Sequence, residues 1–182
     1  MKPSRLVVAF TLCAVPGYAL AAADPAVDSG PPPADVLTKL HHANQMEIEA
    51  GKLAQAKGAS KEIKKFGKAL VNDHTAADKK VVALAKQLKI ELPKESPEMK
   101  DGMLEKAKAT TGAEFDRTFA SAMLDDHRKD VEETTEARDK TSNPKLKKLL
   151  SEIVPKLEKH RETAQKLVDS GGEAKPKEPP AK

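Results

Sequence analysis

The chain has 182 residues, and its 32 Lys and Arg against 28 Asp and Glu give a formal net charge of +4. Aromatic residues make up 3% of the chain and Trp is absent, which argues against a many-stranded β fold because strands favour aromatic and β-branched residues. A single Cys excludes an internal disulfide and any multi-thiolate metal site. The composition favours a largely helical domain.

Residues 1–23 have the layout of a secretory signal peptide. Lys2 and Arg5 precede an apolar run over 6–15, and small residues then lead to Ala21-Ala22-Ala23, a cleavage sequence. The apolar run is too short to cross a bilayer as a helix. The sequence therefore predicts an exported protein of the periplasm or cell envelope, with no membrane span in the mature chain.

The mature chain divides into a leader, a helical domain and a tail. Residues 24–33 are rich in Pro and Gly and predict a flexible leader, whereas residues 170–182 are a Lys/Pro tail with little to bury, which predicts disorder. Residues 34–169 between them form the predicted bundle domain. Cleavage removes two basic residues and the single Tyr, so the net charge falls to +2 and nucleic-acid binding is not expected.

Four long amphipathic patterns predict helices over 34–57, 60–89, 113–140 and from 143 to about 168. Ser60 and Asn143 are the predicted N-caps of the second and fourth helices. Ser96-Pro97-Glu98 predicts the start of a short helix that ends near Lys108, and Pro155 is expected to kink the last helix. Short turns within each helix pair and a long connection between the pairs predict an all-α, ferritin-like antiparallel four-helix bundle.

Four polar side chains occupy positions where the apolar seams predict hydrophobic residues. Glu47, His74, His127 and His160 each lie three or four residues from an apolar residue of the same face, and each is near the middle of its helix. Burying an unpaired polar group costs about 1–3 kcal/mol, so a layer of them must find partners. Three imidazoles and a carboxylate are a suitable ligand set for one ion of Zn, Fe, Cu or Ni.

Three aspartates near these positions are accessory candidates, as further ligands or as hydrogen-bond acceptors for the histidines: Asp73, Asp126 and Asp130. His41 and His42 are expected at the surface or edge, and Asp116 is expected to be a first-turn acid favoured by the helix dipole.

The polar layer has two other interpretations. It could hold water and set helix register without metal, or it could act as a pH switch because histidine titrates near neutrality. The runner-up function is a structural or interaction bundle of the envelope. Catalysis is the third hypothesis, because the sequence contains no nucleotide-binding or nucleophile motif. A metal-dependent enzyme would also need a free coordination position at its metal ion.

Several short motifs, in their order and spacing, resemble the DUF4142 family over roughly residues 34–168. They are the stretch from Glu47 to Ala54, Asp73-His74, Leu92-Pro93, Phe115-Asp116-Arg117, His127 and Leu157-x-x-His160. The resemblance implies exported bacterial proteins with a ferritin-like bundle, and it implies no established activity.

Within the wider ferritin-like group a di-iron centre needs Glu three residues before His on two helices. The positions three before the mid-helix histidines hold Val71, Leu124 and Leu157, so a di-iron centre is not favoured. We expect a monomer or weak oligomer, with any envelope partner unidentified.

Overall fold

The computed structural model describes residues 30–94 and 103–171. Its helices are α1 Pro33–Lys57, α2 Lys61–Gln87, α3 Met103–Ala109, α4 Gly112–Lys140 and α5 Pro144–Asp169. These ranges contain no strand, so the prediction of an all-helical protein is confirmed. The predicted signal peptide, nearly all of the leader, the start of the connecting helix at Ser96, and the tail from residue 172 lie outside the described residues. Among the described helices, none has the length and apolar character needed to cross a membrane.

The helix starts follow from local capping. The Ser60 side chain accepts a hydrogen bond from the backbone N–H of Ile63, and the Asn143 side chain accepts from the N–H groups of Lys145 and Leu146. These side chains pair donors that a helix N-terminus leaves unsatisfied, and they confirm both predicted N-caps. α5 continues on both sides of Pro155, which supplies no backbone donor at that point.

The long helices pack as two antiparallel hairpins. α1 lies along α2 and α4 lies along α5, and these are the most extensive interhelical contacts. Near the α1–α2 turn Gly51 meets Gly67, and at the far end His41 bonds Asp78, as antiparallel helices require. α2 also packs against α5, and α1 against α4, so the order around the bundle is α1, α2, α5, α4.

The core has two apolar clusters with polar side chains between them. One cluster, centred on Phe66, Phe115 and Phe119, lies toward the α1–α2 turn. The other, which includes Val81 and Leu146, lies toward the opposite end. The buried polar residues of the middle are Asn44, Glu47, His74, His127 and His160. The fold therefore places the polar layer away from both ends of the bundle.

Gly67 allows the close approach of α1 and α2. A Cβ at this position would lie 2.6 Å from the carbonyl oxygen of Gly51 and 2.7 Å from Cβ of Ala54. Gly67→Ala is expected to destabilise the protein, because the backbone clash outweighs the roughly 1 kcal/mol that alanine gains in helix propensity. Urea unfolding measures the change, with Ala substituted at exposed Lys68 as control. A Gly67→Ala protein as stable as wild type would show that the helices separate without cost.

Candidate metal centre

Three imidazoles from three helices meet in the middle of the core. His74 of α2, His127 of α4 and His160 of α5 are 5%, 0% and 3% exposed. One ring nitrogen of each lies within 4.8 Å of a ring nitrogen of the other two. The ring centroids are 5.2 to 5.8 Å apart. The structure therefore brings together all three histidines that the sequence analysis singled out.

Each imidazole is held by an oxygen acceptor through one of its two nitrogens. The acceptors, with their distances, are Asn44 Oδ1 at 2.9 Å for His74 Nδ1, the Met123 carbonyl oxygen at 3.0 Å for His127 Nδ1, and Asp73 Oδ2 at 3.0 Å for His160 Nε2. Such a bond fixes the tautomer and the orientation of the ring, and it leaves the lone pair on the other nitrogen. Metal-ligating histidines in proteins are generally held in this way.

The second nitrogen of each ring has no hydrogen-bond partner among the residues that the structure describes. His74 Nε2, His127 Nε2 and His160 Nδ1 are all buried and unpaired. An unsatisfied buried polar atom costs about 1–3 kcal/mol, and three of them at one level are a large cost for a core to carry without compensation. A shared ion would satisfy all three at once, and the donor set suits a transition metal.

The three histidines favour their neutral form, because the protein lowers the pKa of each ring. Burial lowers the pKa of His74 well below its usual value, and the neighbouring imidazoles lower it further. Burial also lowers the pKa of His127, to about 4. Burial lowers the pKa of His160 as well, although the hydrogen bond to Asp73 opposes part of this effect. Neutral rings at pH 7 offer their lone pairs to a metal without first losing a proton.

Glu47 lies in the same layer but in a second group of side chains. It is 1% exposed, and its Oε1 is 3.6 Å from Nδ1 of His127. Its carboxylate, that of Asp126 and a ring nitrogen of His127 lie within 4.8 Å of one another. The four predicted ligands therefore form two groups that share His127.

The three accessory candidates have different surroundings. Asp73 accepts a hydrogen bond from His160, and Asp126 neighbours Glu47. Asp130 lines the cavities on either side of α1.

The buried Glu47 makes the stability of the metal-free protein depend on pH. Burial raises its pKa well above the usual value, and the carboxylates of Asp126 and Asp130 raise it further. A raised pKa gives stability below the pKa of the unfolded chain, and this stability is lost as the pH rises toward the folded pKa. Relative to Glu47→Gln, wild type should lose up to about 1.4 kcal/mol per pH unit above about pH 4.5.

Urea unfolding with a chelator between about pH 5 and pH 7 tests this expectation. Exposed Glu49→Gln is the matched control and should show no such trend relative to wild type. A constant difference between wild type and Glu47→Gln over this range would contradict the raised pKa of Glu47.

A cavity of about 170 Å³ leads from the surface to the imidazoles. Its walls include His74 and His160, the side chain of Asn44, and charged residues at the mouth such as Lys80 and Glu152. The space exists because small residues, among them Ala43 and Ala77, stand where larger ones would fill the core.

Ala77→Leu is expected to narrow this route and to slow several-fold both association and dissociation of any metal ion that the imidazoles bind. The equilibrium affinity should stay close to that of wild type, because an obstacle on the path slows both directions alike. Stopped-flow kinetics measures both rates, with Ala56→Leu on the exposed face of α1 as control. Unchanged rates would place the entry route elsewhere.

Two sequence expectations need correction, and one residue was missed. His41 is not a simple surface residue, since its Nδ1 lies 2.7 Å from Oδ1 of Asp78 and the pair is largely buried between α1 and α2. Asp116 does not act in the first turn of its own helix; it is 1% exposed and accepts hydrogen bonds from the start of α2.

Asn44, the acceptor for His74, was not among the predicted site residues. The sequence contained one signal for it, since Asn44 lies three residues before Glu47 on the same helix face.

These features define a class of protein, a helical bundle with a buried cluster of histidines. The chain belongs to the family described as domain of unknown function DUF4142, whose model matches residues 19–167. The solved structure of CopM in the Cu(II)-bound form is similar in fold, with a TM-score of 0.65 and 18% sequence identity. The similarity covers 76% of this chain and 96% of that chain. No curated protein sequence matches the chain.

Proposed function

We propose that this protein binds one transition metal ion through His74, His127 and His160, in a sequestration or stress-protection role in the bacterial envelope. The observation that carries the proposal is the hydrogen-bond pattern of the three rings. Each ring uses one nitrogen on an oxygen acceptor, and its other nitrogen is buried without a hydrogen-bond partner in the described parts of the chain. A bound ion would use the three free lone pairs. Glu47 supplies a carboxylate beside His127.

Export and the ferritin-like arrangement are part of the same proposal. The pattern of residues 1–23 supports export.

For the helix arrangement, the ring contacts between Phe66 and Phe119 and between His74 and His127 support α2 and α4 running in the same direction. Two antiparallel hairpins joined in this way need a connection that returns along the bundle, as in ferritin-like folds.

Cu(II) is the first ion to test. The similar solved structure holds Cu(II), and copper has the highest affinity for nitrogen ligands among the divalent first-row metals. Equilibrium dialysis of the chain without its predicted signal peptide, against Cu(II), Zn(II), Ni(II) and Fe(II) in turn, gives affinity and stoichiometry. Electron paramagnetic resonance of the Cu(II) form reports the number of nitrogen ligands.

The variants His74→Gln, His127→Gln and His160→Gln should each lower the affinity by more than about 100-fold. Removing a partner that only orients a ligand already costs about 10–100-fold, and a ligand itself should cost more. His42→Gln, outside the layer, is the matched control. Wild-type protein that binds none of the four ions, or binds them unchanged in the three variants, would refute the proposal and leave a metal-free polar layer.

A further inference from the structure

The acidic group beside the histidines has the features of a separate cation site. Glu47 on α1 faces Asp126 on α4, and His127 closes the group. Asp130 follows Asp126 on α4 by about one helical turn and therefore lies on the same side of that helix. The group therefore joins carboxylates from two helices across the α1–α4 contact.

Glu47 is a buried carboxyl that lies beside the carboxyl of Asp126. It is 1% exposed, and no N–H or hydroxyl group of the described residues donates a hydrogen bond to either of its oxygens. The carboxyl groups of Asp126 and Asp130 both raise the pKa of Glu47, in addition to the effect of burial. A carboxylate that is buried among other carboxylates must take up a proton or bind a cation, because the desolvated charge is otherwise too costly.

A cavity open to the solvent lies beside Asp130. This cavity of about 400 Å³ lies between α1 and α4, and Asp130 and Glu133 are among its lining residues. Lys39, at its rim, pairs with Glu133 at 2.6 Å. This cavity brings solvent to Asp130, which is also among the lining residues of the cavity beside His74 and His160.

We propose that Glu47 and Asp126, with Asp130 one helical turn further along α4, form a second metal site, which takes a divalent cation that prefers oxygen ligands, such as Mn²⁺. Carboxylate oxygens suit Mg²⁺, Ca²⁺ and Mn²⁺, whereas the neighbouring imidazoles suit softer ions. His127 separates the two sites and belongs to both groups. This inference stands on the buried carboxyl of Glu47 beside that of Asp126, so it does not depend on metal binding by the three imidazoles.

Mn²⁺ binding by the wild-type chain tests the site, because free aqueous Mn²⁺ gives a strong paramagnetic resonance signal that is lost on binding. We expect one bound Mn²⁺ per chain, with affinity lowered more than tenfold in Asp126→Asn and in Glu47→Gln. Exposed Asp125→Asn is the matched control and should bind as wild type does. His74→Gln should also retain Mn²⁺, although it loses Cu(II). Far-ultraviolet circular dichroism confirms that each variant is folded.

Three results would overturn the second site. Wild type that binds no Mn²⁺ would show that Glu47 is satisfied by a proton. Equal affinity in Asp126→Asn and wild type would place the ion elsewhere. Loss of Mn²⁺ in His74→Gln would place it among the imidazoles. Failure of the imidazole site is recognised separately, as Cu(II) binding that none of the three histidine variants changes.

Discussion

Cu(II) at 100 times its dissociation constant is expected to stabilise the wild-type protein by about 2.7 kcal/mol. For a domain of this size that corresponds to a rise in the unfolding midpoint of roughly 5–11 °C. The physical reason is that the proposed site exists only in the folded chain, where three neutral imidazoles converge, and not in the unfolded chain, where they are apart. Thermal unfolding followed by far-ultraviolet circular dichroism, with and without Cu(II), measures the shift.

The shift should disappear in His160→Ala and persist in His42→Gln. The metal-free His160→Ala protein needs its own midpoint, because the substitution also releases Asp73 from its hydrogen bond at 3.0 Å. The comparison is therefore made within each variant, with and without the ion. A rise of equal size in His160→Ala and wild type would mean that Cu(II) stabilises the protein from another place.

Asp116→Ala is expected to lower the free energy of unfolding by about 2–4 kcal/mol. The Asp116 carboxylate accepts hydrogen bonds from the backbone N–H of Ala59 at 2.8 Å and of Ser60 at 2.7 Å. These bonds tie α4 to the turn between α1 and α2, at the positive end of the α2 dipole. Removal of the carboxylate leaves both donors without their partner.

Urea unfolding measures this loss, and Glu114→Ala is the matched control because Glu114 is exposed in the first turn of α4. The control should cost less than about 1 kcal/mol. Cu(II) affinity should be unchanged in Asp116→Ala, since the tie lies at the end of the bundle and the histidines lie in its middle. Equal losses in the two variants would show that the cross-helix tie contributes little.

Most of the helical architecture could be predicted from the chain alone. The spacing of apolar residues over α2, from Ile63 to Leu84, is a local property, and so are the caps at Ser60 and Asn143. The same periodicity places Glu47 and the three mid-helix histidines on inward faces, because residues three and four apart share one side of a helix.

Only the tertiary structure decided which residues neighbour those inward side chains. Asp116 and Ala59 are 57 residues apart, and no local pattern relates them. The division of the polar layer into an imidazole group and a carboxylate group around His127 depends on which helices are adjacent and on the rotation of each ring. Helical periodicity gives the direction of a side chain from its own axis; distances between side chains on different helices arise only when the helices pack.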